Sequence, residues 1–86
     1  MKVHEFLTED NWTKGAAARN ALGKGCPSAS PEAVKWCVLG AMIVCYPEDN
    51  GERSMKLMDE LQCLVPHWND ENDFNTVITK LKELDI

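Results

Sequence analysis

The chain has no CxxC pair, no apolar run long enough to cross a bilayer, and too few basic residues to line a phosphate backbone. Each absence removes a class of protein. The cysteines, Cys26, Cys37, Cys45 and Cys63, are scattered, so the paired-ligand spacing of a zinc site is missing. Cys37 and Cys45 stand eight apart, roughly 12 Å along a helix, beyond the roughly 7 Å a disulfide can bridge. The thiols are read as free and buried, acting as small hydrophobes. Nothing favours a disulfide from Cys26 or Cys63. The longest apolar run, Trp36 to Tyr46, is broken only by Gly40 and covers eleven residues, where a bilayer needs about 20. Met1 to Leu7 contain no apolar core of a secretory signal. The expectation is a cytoplasmic protein with no membrane association. Nine Lys+Arg stand against fourteen Asp+Glu, a net charge of −5. Nucleic-acid binding is therefore not expected, because phosphate contacts need a basic stripe. There is no internal repeat and no low-complexity linker.

What is present is a globular balance, 44% hydrophobic and 27% charged, which argues against wholesale disorder. Its 86 residues make one domain, 1–86, and exclude multidomain enzymes and P-loop machines. A chain of this size buries only roughly 60% of its unfolded surface. Its stability is modest unless a partner or a second copy adds core, which leaves a homodimer open.

Val3, Phe6 and Leu7 have helical spacing, in a segment short enough to be helix or strand. Residues 11–27 are rich in alanine but carry Gly15, Gly23, Gly25 and Pro27. They are read as irregular or partly extended, ending in a Gly-rich turn, with a short helix over 16–21 as the alternative. Ser30-Pro31-Glu32 is a helix start, with Ser30 as N-cap and Pro31 in the first turn. The pattern predicts a helix over 31–46, stopped by Pro47. Its second half is apolar on every face, which suits a central, surrounded helix. Gly40 costs that helix about 1 kcal/mol against alanine. A close neighbour explains it, either a backbone or a bulky ring such as Trp12 or Trp68. Leu57, Met58, Leu61, Leu64 and Val65 give an amphipathic helix over 52–65, ended by Pro66. Residues 67–72 are read as a polar loop carrying Trp68. A last helix over 73–84, capped by Asp73 or Asn72, has Phe74, Val77, Ile78, Leu81 and Leu84 as its buried stripe. The fold class is mainly α: a small bundle of three to four helices around a central apolar helix, with an irregular or short extended N-terminal segment.

Four groupings of residues carry chemistry. Cys37, His67 and Asp70 have the residue types of a nucleophile, base and orienter, but burial in an apolar helix would blunt the thiol, and the chain has little mass for a cleft. His67, Asn69, Asp70, Asn72 and Asp73 are oxygen-rich, yet Phe74 breaks the ligand rhythm of a calcium loop and no glycine follows. Asn69 and Asp70 are better suited to free backbone groups at helix ends. No metal or cofactor is expected. Trp12 and Trp68 are loop tryptophans that can pin loops to the core or anchor an interface. Lys14, Arg19 and Lys24 are the only local basic bias, a solvated face or a contact for an acidic or phosphate group. The acids are too dispersed for a nucleic-acid mimic.

Taken together, Trp12-x-x-Gly15-Ala16-x-Ala18-Arg19-x-x-x-Gly23, Trp36-Cys37-x-x-Gly40-Ala41 and Trp68-Asn69-Asp70 resemble the pattern of a family of small bacterial and phage proteins known as a domain of unknown function. The resemblance spans about residues 12–84 and is most specific in 36–41 and 68–70. That family typically has Gln where Lys14 stands, Asp where Asn20 stands, and Thr in the place of Asp73 before the last helix. The resemblance implies a fold and brings no reaction. It also implies two loops folded over the N-terminal half of the central helix.

The expectation from these readings is a non-enzymatic protein–protein interaction module. Its surface joins the Trp12–Arg19 loop to the His67–Asp70 loop, with Trp12, Lys14, Arg19, His67, Trp68, Asn69 and Asp70 as binding residues and an unidentified protein as partner. An inhibitor of a host system is one concrete version, taken from the phage resemblance. The alternative is a small enzyme or ligand binder using Cys37, His67 and Asp70. A weaker third reading is a metal-binding module at 67–73.

Overall fold

A computed structural model describes all 86 residues. Five helices and three two-residue strands alternate unevenly along the chain. Helix α1 is Val3–Phe6. Strands β1, β2 and β3 are Ala18–Arg19, Gly25–Cys26 and Lys35–Trp36. Helices α2 to α5 are Val38–Cys45, Glu52–Leu61, Val65–Glu71 and Phe74–Glu83. The protein is mainly helical, with a small antiparallel sheet of order β2-β1-β3. The expected mainly α character holds, and the short extended part is a three-stranded sheet.

The sheet takes residues that the sequence assigns to a helix. Ser30 and Pro31 do not start α2. The Ser30 hydroxyl accepts the Glu32 N–H at 3.1 Å and its carbonyl accepts the Ala33 N–H at 3.1 Å, closing a turn. The chain then runs extended, with Val34 N–H donating to the Arg19 carbonyl at 2.9 Å. Ser-Pro opens a turn as readily as a helix, and pairing with β1 decides between them. The N-cap of α2 is Cys37, whose sulfur accepts the Gly40 N–H at 3.4 Å. Residues 12–26 are irregular and partly extended, with β1 and β2 joined by a turn through Gly23 at φ 81° and no helix over 16–21. Trp12 adds a further rung beside β3, where Trp36 N–H donates to Asn11 O at 2.8 Å and Thr13 N–H to Trp36 O at 3.0 Å.

Two helix boundaries also differ from the sequence reading. Helix α3 ends at Leu61 because Gln62 turns left-handed at φ 57°. Pro66 opens α4 instead of ending α3. Proline is at home in a first turn because the N–H it lacks has no intrahelical acceptor there. The expected 67–72 loop is therefore helix as far as Glu71, and Trp68 is a helical residue. Asp73 caps α5 as expected, accepting the Thr76 N–H at 2.8 Å.

One core joins the helices, built on Val3, Val38, Leu57, Val65, Val77 and Leu81. Ile86 closes it at the chain end, with its carbonyl accepting the His4 N–H at 3.1 Å. Beside this contact Lys2 forms a salt bridge to Asp85. Helix α2 touches α1, α3, α4 and β3. It is not surrounded, because Ile43 and Val44 reach solvent. An eight-residue helix in so short a chain has too few neighbours to cover every side. All four cysteines are free thiols; Cys37 is buried and the other three only half-buried.

Gly40 has a backbone neighbour, and neither tryptophan ring is the reason for it. A Cβ there would overlap the Ala17 carbonyl oxygen and lie 3.0 Å from the Ser28 hydroxyl. The absent side chain is what lets α2 lie directly on the strand-bearing segment. Gly40→Ala is therefore predicted to lose about 3 kcal/mol in a urea melt, since backbone must move. Gly25→Ala, whose Cβ would meet only Ala16 Cβ at 3.7 Å, is predicted to stay within about 0.5 kcal/mol of wild type.

Candidate functional site

Asn69 is the buried centre of the region singled out by sequence. It lies on the inner face of α4 with zero exposure. An asparagine amide offers two donors and one two-fold acceptor, and here all four capacities are met. Its Oδ1 accepts the Trp12 indole N–H at 2.8 Å and the Val38 N–H at 3.0 Å. Its Nδ2 donates to the Thr13 carbonyl at 3.0 Å and to Asp70 Oδ1 at 3.1 Å. Val38 is the first residue of α2, so its N–H has no intrahelical partner. Asn69 thus serves a free helix-end donor, the role its chemistry suggested.

Asp70 extends the same link outward. Its Oδ1 also accepts the Gly15 N–H at 3.0 Å. Gly15 is left-handed at φ 79°, where a side chain would be strained. Segment 12–15 and helix α4 therefore share one continuous surface. On that surface Trp12 is half-buried, packed against Phe74 at 5.7 Å between ring centroids, with the Lys14 ammonium 5.3 Å from its ring centre.

The predicted site residues divide into two groups. Lys14, His67 and Asp70 are exposed, and Trp12 and Arg19 are half-buried. Trp68 and Asn69 are buried. On α4 the 67/70 face looks outward while 65, 68 and 69 look inward. Trp68 therefore anchors core. Arg19 is a clamp for its own loop. It donates from Nε to Thr13 Oγ1 at 3.0 Å, from Nη1 to the Gly23 carbonyl at 2.9 Å and from Nη2 to the Lys14 carbonyl at 2.9 Å.

Cys37, His67 and Asp70 do not form a hydrogen-bonded set. The Cys37 thiol is buried and engaged with the Gly40 N–H. Burial pushes its pKa up, the Gly40 and Leu39 N–H groups partly oppose this, and the nearby Asp70 charge adds to the rise. The thiolate is thereby disfavoured. His67 makes no hydrogen bond to either partner, and none of the four surface grooves is lined by any of the three. The one groove lined by a predicted site residue, about 420 Å³, runs along α5 between Trp68 and Glu83. No three His, Cys, Asp or Glu side chains are grouped to hold a metal ion.

Sequence reasoning missed the backbone groups of Thr13 and Gly15, which carry no side-chain signal. It also missed Lys35, whose place beside Arg19 depends on strand register. No protein-family model matches the chain, and no curated protein and no solved structure matches it.

Asn69→Asp tests the amide centre. A carboxylate there could accept from Trp12 and Val38 but loses both donors, and it places a charge in a dry site beside Asp70. Burial and the like charge would raise its pKa in the folded state above the roughly 3.9 of the unfolded chain. The variant is predicted to be about 3 kcal/mol less stable than wild type at pH 7. Because a raised acid pKa destabilises only where the unfolded group is ionised, the deficit should shrink as pH falls toward about 4. Asn69→Ala should show a deficit that stays constant across that range in the same urea melts.

Proposed function

We propose that this protein is a non-enzymatic interaction module that binds a protein partner through the surface shared by residues 12–19 and the outer face of α4. The observation that carries this reading is the tie from Asn69 and Asp70 to Trp12, Thr13 and Gly15. That tie fixes a half-exposed indole and three exposed polar side chains, Lys14, His67 and Asp70, in one rigid frame. A preordered surface loses little entropy on binding. An aromatic ring rimmed by charged groups has the composition of an interface centre. The buried, hydrogen-bonded Cys37 thiol supports this reading over a thiol-based reaction. Inhibition of a host system is the concrete version suggested by the resemblance to a family of small bacterial and phage proteins. No helix is long and apolar enough to cross a membrane.

The test is affinity capture from bacterial lysate with three baits, each first shown to be folded by circular dichroism. They are wild type, the surface pair Lys14→Glu with His67→Asp, and Lys56→Glu on α3 as a distant control. The proposal predicts a protein retained by wild type and by the Lys56 variant, with at least about tenfold less recovered by the surface pair. Equal recovery by all three baits, or no specific protein with any of them, would contradict it.

A further inference from the structure

The charges of this acidic protein are segregated. Between Asn11 and Pro47 stand four cations, Lys14, Arg19, Lys24 and Lys35, and one carboxylate, Glu32; the rest of the chain has five cations and thirteen acids. Strand register concentrates the positive charge. Arg19 lies directly opposite Lys35 across the β1–β3 pair, and opposite Gly25 on the other side. Directly paired residues share one face of a sheet, and like charges in that position repel. The other face carries Ala18, Cys26 and Trp36, of which Ala18 is fully buried, so the charged face is the outer one.

None of these cations is neutralised within the chain. Its three salt bridges are Lys2 with Asp85, Arg53 with Asp49, and Lys80 with Glu83. The Arg19 guanidinium is held by three neutral oxygens, which fix its position without cancelling its charge. Of its five N–H groups, one remains on each terminal nitrogen. Gly15 leaves room beside it, since a Cβ there would stand 3.1 Å from Nη2. A fixed guanidinium with free N–H groups, next to an unpaired lysine, is suited to a carboxylate.

We infer that the outer face of the β2-β1-β3 sheet, centred on Arg19 and Lys35, docks a short acidic segment of the partner protein. This rests on the interaction-module reading and names the chemistry of the partner. A short segment fits better than a nucleic acid. The two-residue strands span only about 7 Å along their length, and a long polyanion would meet the thirteen acids found elsewhere. The acids of α4 and α5 in a second copy offer matching charge, but that contact is head-to-tail and leaves open ends.

The test is an NMR titration of the ¹⁵N-labelled full chain with a capped peptide of alternating Asp and Ser. The same peptide with Asn for Asp, and a short oligothymidylate, serve as comparisons. The inference predicts shifts at the amides of residues 13–25 and 34–36 and at the Arg19 Nε–H, and none with the Asn peptide. Affinity should fall about tenfold with Lys35→Glu, and also on raising salt from about 20 to about 300 mM. Lys35→Gln, which removes charge without reversing it, should fall between. Shifts no larger than those of the Asn peptide would overturn the inference. So would tighter binding of the oligothymidylate at the same residues, or concentration-dependent shifts of both the sheet and α4 without peptide. If the acidic peptide fails while a captured protein still depends on Lys14 and His67, the docking inference falls and the interaction-module reading stands.

Discussion

One buried amide connects the two halves of this protein. Asn69 belongs to α4, in the helical C-terminal half, yet its four hydrogen bonds include the indole of Trp12, the carbonyl of Thr13 and the first N–H of α2. These groups come from two separate stretches of chain, 12–13 and the start of α2, and α4 itself is a third. An amide with no exposure and unmet capacity would cost about 1–3 kcal/mol per group, so the partners must arrive together. The position of the 12–15 segment, and with it the surface proposed for binding, depends on this exchange.

The start of α2 shows how the constraint spreads. The first four backbone donors of a helix are unpaired in isolation, and three of them are met here by named groups. Asn69 takes Val38 N–H and the Cys37 sulfur takes Gly40 N–H, while Cys37 N–H donates to Ala17 at 3.1 Å. The same Ala17 carbonyl presses on Gly40, where only hydrogen fits. Helix α2 is thus capped by α4 and the sheet segment together. Cys37, with the residue type of a nucleophile, is used as a cap. The nearby Asp70 carboxylate, with the residue type of a catalytic orienter, accepts the backbone N–H of Gly15.

The parts legible in the sequence are those governed by local pattern. The stripe from Phe74 to Leu84 and the Asp73 cap specify α5 almost to the residue. The start of α3 at Glu52 is equally local. The N-terminus of α2 was not legible, because Ser30-Pro31 suits a turn and a helix alike and the choice is made by pairing with β1, distant in sequence. Helix α4 was hidden because His67 to Asn72 are polar, and only Val65, Trp68 and Asn69 turn inward, a stripe too sparse for periodicity to reveal. At the site, Trp12, Asn69 and Asp70 were identifiable as a group. Their roles were not, since burial separates Asn69 from Asp70 and no spacing rule reports burial. The facing of Arg19 and Lys35 required the register itself.

The Asn69 amide locks segment 12–15 onto α4 and α2 as one cooperative unit. Amide hydrogen exchange measured by NMR addresses this most directly, because protection reports the free energy of opening at each donor. The Trp12 indole N–H and the Val38 N–H should show the same opening free energy as core amides such as Leu81, exchanging only when the whole molecule unfolds. A Trp12 indole protected orders of magnitude less than Leu81, with Val38 still protected, would mean that the segment opens independently and that Asn69 does not lock it.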